Sequence, residues 1–310
     1  MSAQQSTPVS RPAKAPSAHL TRPDGARLAL YTDGPATPHL AVVFAHGWQA
    51  AASIWERHAH ELLGRHPDIR VVRYDQRGHG DSTPGAEEPS ISLLADDLRA
   101  IIRHQAPDDL PVILVGHSMG GMAVLTLAAD HPHLIDDQVV GVVLAATTGG
   151  ALDMAARLNP VHRRLLGLTR HAMAELCLRA PRPAERVRDL LRPRPYPQPP
   201  IDIAARWYRA LMTHDVTTRL DALRRVTVHL LVGEADRHIP PVHAVRLAAQ
   251  IPGAVVHLVP RAGHRLPTQH PREVQAVLVR ACVEALDRVT VSPTESRPHA
   301  AESGPRAPQG

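Results

Sequence analysis

A serine stands in the middle of a G-x-S-x-G pentapeptide, at positions 116–120 of this 310-residue chain. The preceding residues, 112–115, form an apolar run typical of a buried strand, and the following residues have the apolar spacing of a helix. A serine in a sharp strand-to-helix turn projects clear of both elements. Glycines at both ends of the pentapeptide let strand and helix approach closely. The pattern therefore predicts that Ser118 is a nucleophile.

A serine hydroxyl is a weak nucleophile near neutral pH, so it needs an adjacent general base. His264 is the first candidate, because it lies in an Ala-Gly-His loop directly after the last predicted strand. Asp236 would orient the imidazole, since it follows another predicted strand at the sheet edge where α/β proteins place their sites. Ser118, Asp236 and His264 together predict nucleophilic catalysis with acid–base assistance.

Other residues could take the roles of base and acid. His270 is an alternative base, and Asp215 and Asp221 are alternative acids in less favourable positions. Asp236 itself could instead cap the helix predicted near residue 240, which is a common task for aspartate. We expect His264 and Asp236 to serve Ser118, because each of them directly follows a predicted strand.

Negative charge that develops on a substrate oxygen needs hydrogen-bond donors. Two backbone N–H groups are candidates for these oxyanion donors. One belongs to Met119, directly after the serine, and the other to Trp48, in a His-Gly-Trp sequence that follows an early strand. We expect His46 of that sequence to serve the structure of the loop, and His117 to pack behind the turn.

The elements that must position these residues alternate between strands and helices, which indicates a mostly parallel sheet. A hairpin is predicted over 19–31, and strands are predicted over 40–45, 69–74, 112–115, 139–146, 227–232 and 255–259. Besides the helix after Ser118, helices are predicted over 53–65, 90–104, 242–250 and 271–288. Ser53 and Glu56 have the spacing of a capping box at the start of the first helix.

The domain organisation follows from the same patterns. The alternation stops over 149–225, where a helical pattern contains a proline cluster that cannot lie inside a helix or a central strand. This segment is predicted to be a helical cap, inserted into an α/β core formed by 18–148 and 226–289. The polar, proline-rich ends are predicted to be disordered tails, over 1–17 and 290–310.

These motifs resemble those of the α/β-hydrolases, in particular the broad group of capped esterases, haloperoxidase-like enzymes and C–C hydrolases. The resemblance rests on H-G-W at 46–48, D-Q-R-G-H-G-D-S at 75–82, G-H-S-M-G-G at 116–121, and the acid and histidine loops. The order serine, aspartate, histidine is the order of that fold. The resemblance implies a mostly parallel sheet, helices on both faces and an inserted helical cap. It also implies that the 75–82 loop is structural, with Arg77 and Asp81 bonding locally.

The three residues and the resemblance predict a cofactor-free serine hydrolase that acts on a small or medium apolar ester or a related acyl compound. Two other hypotheses stay open. One is a non-hydrolytic enzyme on the same scaffold, such as a perhydrolase, a lyase or a cyclase. The other is a catalytically silent ligand-binding protein. A serine nucleophile speaks against epoxide hydrolases and haloalkane dehalogenases, which resemble this group but use aspartate at that position.

Aromatic residues make up 3% of the chain, and three of them are candidates for the substrate pocket. Trp48 could form an apolar wall of the pocket or belong to the core. Trp207 and Tyr208 lie in a helical stretch of the predicted cap, so they could line the pocket or pack within the cap. The sequence leaves both alternatives open.

Composition narrows the class of partner. The formal net charge is +5, but nearly all of the positive charge is arginine spread along the chain, which speaks against a nucleic-acid-binding stripe. No apolar stretch has the length of a membrane span or the position of a signal-peptide core. We therefore expect a soluble cytoplasmic protein with a small-molecule substrate, and the oligomeric state stays open.

No metal centre is expected. Most of the 21 histidines occur singly on polar or loop stretches. Four of them that lie close together in pairs are expected on the solvated surface: His58, His60, His131 and His133. The two cysteines, Cys177 and Cys282, provide neither a disulfide framework nor metal-ligand spacing.

Overall fold

The computed structural model describes residues 15–152 and 198–291 of the chain. Its eight strands form one sheet: β1 (Ala18–Thr21), β2 (Arg27–Asp33), β3 (Leu40–Ala45), β4 (Ile69–Tyr74), β5 (Val112–His117), β6 (Val139–Ala145), β7 (Thr227–Gly233) and β8 (Val255–Val259). Their order across the sheet is β1-β2-β4-β3-β5-β6-β7-β8. The strand that precedes the predicted nucleophile, β5, therefore lies inside the sheet, between β3 and β6.

The sheet is mostly parallel. β1 pairs antiparallel with β2, and β2 pairs antiparallel with β4. All the other neighbouring strands are parallel. The predicted opening hairpin and the predicted sheet type are both confirmed. Because parallel strands end at the same edge, β5, β7 and β8 bring their following loops to one side of the molecule.

The described residues form eight α-helices: α1 (Glu56–Arg65), α2 (Ile91–Gln105), α3 (Met119–Asp130), α4 (Pro132–Asp137), α5 (Ile201–Thr213), α6 (Val242–Gln250), α7 (Leu266–Gln269) and α8 (Pro271–Val291). Two short 3₁₀ segments cover Ala52–Trp55 and Asp221–Arg225. The start of α2 is capped by Ser90, whose hydroxyl accepts the N–H of Leu93 at 3.0 Å.

The core consists of two apolar layers, one on each face of the sheet. In β5, alternate residues face opposite layers: Val112 and Leu114 belong to one cluster, and Ile113 and Val115 to the other. Residues of α2 and α3 cover the first face, and residues of α1 and α8 cover the second. Since both faces are covered, the central strands read as continuous apolar runs. Helices on both faces of the sheet are confirmed.

The predicted capping box of Ser53 and Glu56 is wrong. The chain forms a 3₁₀ turn over Ala52–Trp55 before α1 begins at Glu56, and neither start has a side-chain cap from the adjoining residue. Instead, the carboxylate of Asp75 accepts the N–H of Ala52 at 2.7 Å. This acceptor comes from a loop that is distant in sequence, so a local spacing rule does not detect it.

The prediction that His58 lies on the solvated surface is also wrong. Its side chain is fully buried, between the side chain of Gln275 at 2.9 Å and the carbonyl oxygen of Pro267, also at 2.9 Å. The ring thereby ties α1 to α7 and α8. His60 and His133 are exposed, as predicted.

The shortest hydrogen bonds of Arg77 are not local, which corrects the expectation for its side chain in the 75–82 loop. Its guanidinium forms two hydrogen bonds with the carboxylate of Asp97, at 2.6 and 2.7 Å, and a third with Asp24 at 2.6 Å. All three side chains are buried. Asp81 accepts the hydroxyl of Tyr31 at 2.8 Å, again across a long sequence separation. Asp81 also bonds locally, because its N–H donates to Asp75 Oδ2 at 2.9 Å. The loop is held both by its own hydrogen bonds and by residues outside it.

Most of the predicted tails and much of the predicted cap lie outside the described residues, as does Cys177. The described ends of the two tails are ordered, since α8 continues to Val291. Within the described part, Ser17 donates its N–H to the carbonyl of Leu30 at 2.7 Å. Cys282 is a buried free thiol. None of the described helices combines the length and the apolar composition that crossing a membrane requires.

We expect Arg77→Ala to lower the free energy of unfolding by about 3 kcal/mol, because buried Asp24 loses its counter-charge and buried Asp97 keeps only Arg22 among the described residues. Urea denaturation of the variant and the parent protein measures the difference. Arg57→Ala is the matched control: Arg57 pairs with Glu61 on an exposed face of α1. Its loss should cost less than about 1 kcal/mol. Equal effects of the two substitutions would contradict the structural role of the buried cluster.

Candidate active site

The backbone at Ser118 is strained into a left-handed conformation. β5 ends at His117, α3 begins at Met119, and the residue between them has a φ of 53°. A positive φ is uncommon for residues other than glycine and persists where the surroundings enforce it. Here the N–H of Ser118 donates to the carbonyl of Ala145 at 2.9 Å, and Thr147 Oγ1 donates to the Ser118 carbonyl at 2.7 Å. The last residue of β6 and the loop after it therefore hold the turn on both sides.

The turn also requires close contact between α3 and its neighbours. A Cβ at Gly120 would collide with the backbone oxygen of Ala45, at the end of β3. A Cβ at Gly116 would lie 2.5 Å from the Cα of Gly121. Only glycine fits at these two positions without a backbone shift, which confirms the predicted reason for the G-x-S-x-G pattern.

A row of hydrogen bonds connects the three predicted residues. Ser118 Oγ lies 3.0 Å from His264 Nε2, and His264 Nδ1 lies 2.9 Å from Asp236 Oδ2. Because a carboxylate only accepts hydrogen bonds, His264 Nδ1 carries the ring proton and donates a hydrogen bond to Asp236. Nε2 is then the acceptor for the Ser118 hydroxyl. The row places a base where it can take the proton of the serine.

Asp236 uses its two oxygens for different partners. Oδ2 accepts from His264, while Oδ1 accepts the backbone N–H of His238 at 2.8 Å and of Ile239 at 3.0 Å. Burial alone would raise the pKa of Asp236, but the hydrogen bond and charge of His264 and these two N–H groups outweigh it and lower the pKa. The carboxylate is thus held ionised. Asp236 therefore closes the turn that follows it and binds the histidine, but it does not cap α6, which begins at Val242 with no side-chain cap. The helix-capping alternative is wrong.

The two expected oxyanion donors lie on the loops next to the serine. Met119 is the first residue of α3, where a backbone N–H has no acceptor within the helix. Trp48 follows Gly47, and a Cβ at Gly47 would lie 3.2 Å from Ser118 Cβ, so this loop passes directly beside Ser118. No hydrogen bond within the described part of the chain uses either N–H. Their role as oxyanion donors stays a prediction.

Comparison with known proteins agrees with this geometry. A family model described as "Alpha/beta hydrolase family" matches residues 42–277, which is well over half of the chain. The chain belongs to the alpha/beta hydrolase family. The matched range contains the serine, the aspartate and the histidine.

Individual relatives of the hydrolase are distant. It is 25% identical over 256 residues to an sn-1-specific diacylglycerol lipase of Mus musculus, covering 78% of this chain and 80% of the relative. It is 31% identical over 126 residues to a bifunctional esterase/perhydrolase of Acinetobacter calcoaceticus, covering 41% and 43%. A carboxylesterase structure from Nitrososphaera gargenis superposes with a TM-score of 0.66 at 20% identity, over 87% of this chain and 99% of that one. At that identity the superposition shows the fold.

His46 fastens the loop of the hydrolase that carries Trp48. Its Nε2 accepts the backbone N–H of Gln76 at 2.9 Å, so the proton is on Nδ1, which donates to the Gly47 carbonyl at 2.7 Å. Burial lowers the pKa of His46 to about 4. The ring is therefore a neutral link between two loops, in keeping with the structural role expected of it.

The three pocket candidates differ in their surroundings. Trp207 is buried in an apolar cluster that includes Met119, Met122 and Ile239, against the base of the turn. Trp48 is half-buried: its indole N–H donates to the Ala204 carbonyl at 3.0 Å, and its ring lies 5.3 Å from that of Tyr208. Helix α5 thus contacts both the Trp48 loop and the start of α3, which directly follows Ser118.

The alternative residues have other partners. Asp215 accepts the N–H and hydroxyl of Thr217, at 3.2 and 2.7 Å. Asp221 is exposed and lies 3.6 Å from Arg224. His270 directly follows α7, and its ring lies 3.7 Å from the Glu273 carboxylate. None of these contacts is with Ser118.

Among the described residues, one group has the donor atoms for a metal ion. Asp236, His238 and His264 each offer a ligand atom, and these atoms lie within 4.8 Å of one another. Two of the three are already bonded to each other in the hydrogen-bond row. The expectation that the hydrolase uses no metal stays a prediction.

Sequence reasoning does not identify Thr147, which binds the carbonyl of Ser118. Its signal is the Thr-Thr-Gly-Gly sequence after β6, which spans the predicted boundary between the core and the cap. A hydroxyl that follows the strand next to β5 is well placed to reach the turn. The sequence alone does not tell which backbone group it would bind.

We expect Gly120→Ala to destabilise the hydrolase by about 1–3 kcal/mol, because the added methyl collides with the backbone of Ala45. Thermal and chemical unfolding measure the effect. Gly64→Ala is the matched control, since Gly64 lies in α1 with open space where its Cβ would be. That change should stabilise the protein by up to about 1 kcal/mol. A neutral Gly120→Ala would contradict the close strand–helix contact.

Proposed function

We propose that the protein is a serine hydrolase that cleaves a small or medium apolar ester, or a related acyl compound, through an acyl-enzyme intermediate. The observation that carries the proposal is the hydrogen-bond row from Ser118 through His264 to Asp236. A hydroxyl, a base and an orienting carboxylate in this arrangement are the parts that acyl transfer needs. Membership of the alpha/beta hydrolase family supports the same chemistry.

In the acylation step, Ser118 Oγ attacks the carbonyl carbon of the ester while its proton passes to His264 Nε2. The bond from that carbon to the leaving oxygen then breaks, and the His264 imidazolium gives its proton to the departing alcohol. Asp236 stabilises the imidazolium, because its buried carboxylate stays ionised beside Nδ1. The acyl group is left as an ester on Ser118.

In the deacylation step, water takes the place of the alcohol. His264 accepts a proton from the water as its oxygen attacks the acyl carbon, and then returns a proton to Ser118 Oγ as the acid departs. Both steps pass through a tetrahedral intermediate whose oxygen carries negative charge. The N–H groups of Trp48 and Met119 would bind that oxygen, and the loss of one such donor typically costs about 3–4 kcal/mol.

The apolar surroundings of the serine support an apolar acyl group. Met119 and Met122 belong to the same cluster as Trp207, at the base of the turn. Met side chains are flexible and fill irregular apolar spaces. A substrate with an aliphatic acyl chain suits such a wall better than a charged one, since burying an unpaired charge is costly.

Perhydrolysis is a second candidate, in which hydrogen peroxide replaces water as the attacking molecule and the product is a peracid. It is favoured by the similarity to the bifunctional esterase/perhydrolase of Acinetobacter calcoaceticus. The same three residues would serve both reactions. A catalytically silent ligand-binding protein has less support, because the hydrogen-bond row is intact.

We expect the protein to hydrolyse p-nitrophenyl esters and Ser118→Ala to lower kcat by about 10⁶-fold, since the nucleophile is removed. Release of p-nitrophenol from esters of rising chain length measures the activity, and the optimum reports the size of the acyl site. Addition of hydrogen peroxide, with peracid detection, tests the second candidate. Unchanged hydrolysis by Ser118→Ala would contradict the mechanism.

The acid is tested by a matched pair of variants. Asp236→Asn should lower kcat by about 10⁴-fold, because the amide no longer holds the His264 tautomer or stabilises its charge. Asp215→Asn, at the alternative acid, should leave kcat close to that of the parent. The reverse result would show that the aspartate is assigned wrongly.

A further inference from the structure

His117, the residue directly before the nucleophile, forms a hydrogen bond with the loop that carries the general base. His117 Nε2 lies 2.8 Å from the backbone carbonyl oxygen of His264. The two imidazole rings lie 5.1 Å apart, centre to centre. This contact spans 147 residues of sequence and joins the end of β5 to the loop after β8.

The protonation state of His117 follows from its contacts. A carbonyl oxygen only accepts, so Nε2 carries the proton. The side chain is buried, and its Nδ1 finds no hydrogen-bond partner within the described residues. Burial, reinforced by the neighbouring His264, lowers the pKa of His117 to about 3. The ring is therefore neutral, in one tautomer, and acts as a donor to the histidine loop.

The catalytic histidine needs two restraints to face the serine. Its side chain is oriented by Asp236, which binds Nδ1. Its backbone must also be held, because a shift of the loop would move Nε2 away from Ser118 Oγ even with the Asp236 bond intact. The His117 ring supplies that restraint, and it does so from the residue covalently bonded to the nucleophile. Ser118 and the donor to the His264 carbonyl therefore lie on adjacent residues.

We propose that His117 is a positioning residue that sets the distance between Ser118 and His264 through its hydrogen bond to the His264 carbonyl. The inference rests on the proposed function, because that distance matters only if His264 takes the serine proton. A role in packing alone is the alternative. The positioning role requires an N–H group at the Nε2 position of His117, whereas packing alone does not.

Two amide substitutions separate these possibilities. In His117→Gln the side-chain nitrogen can occupy the region of Nε2 and donate to the same carbonyl. In His117→Asn the nitrogen lies near the position of Nδ1, one carbon short of the loop. Both substitutions bury a neutral amide in place of a neutral ring, so the Asn variant is the matched control for polarity and loss of the ring.

We expect His117→Asn to lower kcat by about 10²-fold with KM changed by less than about twofold, as for a general base displaced by about 1 Å. His117→Gln should recover most of that loss and remain within about fivefold of the parent in kcat. The rate of covalent labelling by a fluorophosphonate should follow the same order, since it depends on the same proton transfer. Melting temperatures show whether each variant is folded.

Equal kcat values for the Gln and Asn variants, with both folded, would overturn the positioning role. So would a loss that appears in KM alone. Failure of the proposed function gives a different result, because the parent protein would then neither react with the fluorophosphonate nor hydrolyse esters, and both inferences would fall together. A parent that labels and turns over, with indistinguishable variants, would overturn the His117 inference alone.

Discussion

The left-handed backbone at Ser118 is the constraint on which the remaining geometry depends. A non-glycine residue with a φ of 53° between a strand and a helix is strained, and it keeps this conformation only where its surroundings enforce it. It is held by glycine contacts on the helix side and by Ala145 and Thr147 on the side of β6. This backbone conformation places the Ser118 hydroxyl outside both β5 and α3. The packing of the molecule must offset this strain, and the central position of β5 supplies that packing.

The parallel sheet brings residues that are distant in the sequence to the Ser118 hydroxyl. Asp236 follows β7 and His264 follows β8, and both strands end at the same edge as β5. Ser118 and His264 are separated by 146 residues, yet a 3.0 Å contact joins their side chains. Each loop is then fastened by groups that do not react, such as His46 under the Trp48 loop. The reacting atoms are few, and the residues that locate them are many.

The sequence predicts the parts of this arrangement whose signals are local. Apolar runs identify the strands, and the glycines around Ser118 identify the turn, because their reasons lie within a few residues. The sequence does not predict hydrogen-bond partners that are far apart along the chain. Examples are Asp75, which accepts the N–H of Ala52, and Asp97, which binds Arg77. The burial of His58 is not predicted for the same reason, since its hydrogen-bond partners are more than 200 residues away in the sequence. The side-chain type gives the capacity to bond, whereas the fold selects the partner.

The central claim is that Ser118 forms a covalent intermediate whose charged oxygen is bound by two backbone N–H groups. A crystal structure of the protein after reaction with a p-nitrophenyl alkylphosphonate tests it most directly, because the adduct resembles the tetrahedral intermediate. We predict phosphorus bonded to Ser118 Oγ, with the phosphonyl oxygen at about 2.7–3.1 Å from the nitrogens of Trp48 and Met119. Phosphorus on another residue, or a phosphonyl oxygen directed away from both nitrogens, would contradict the account.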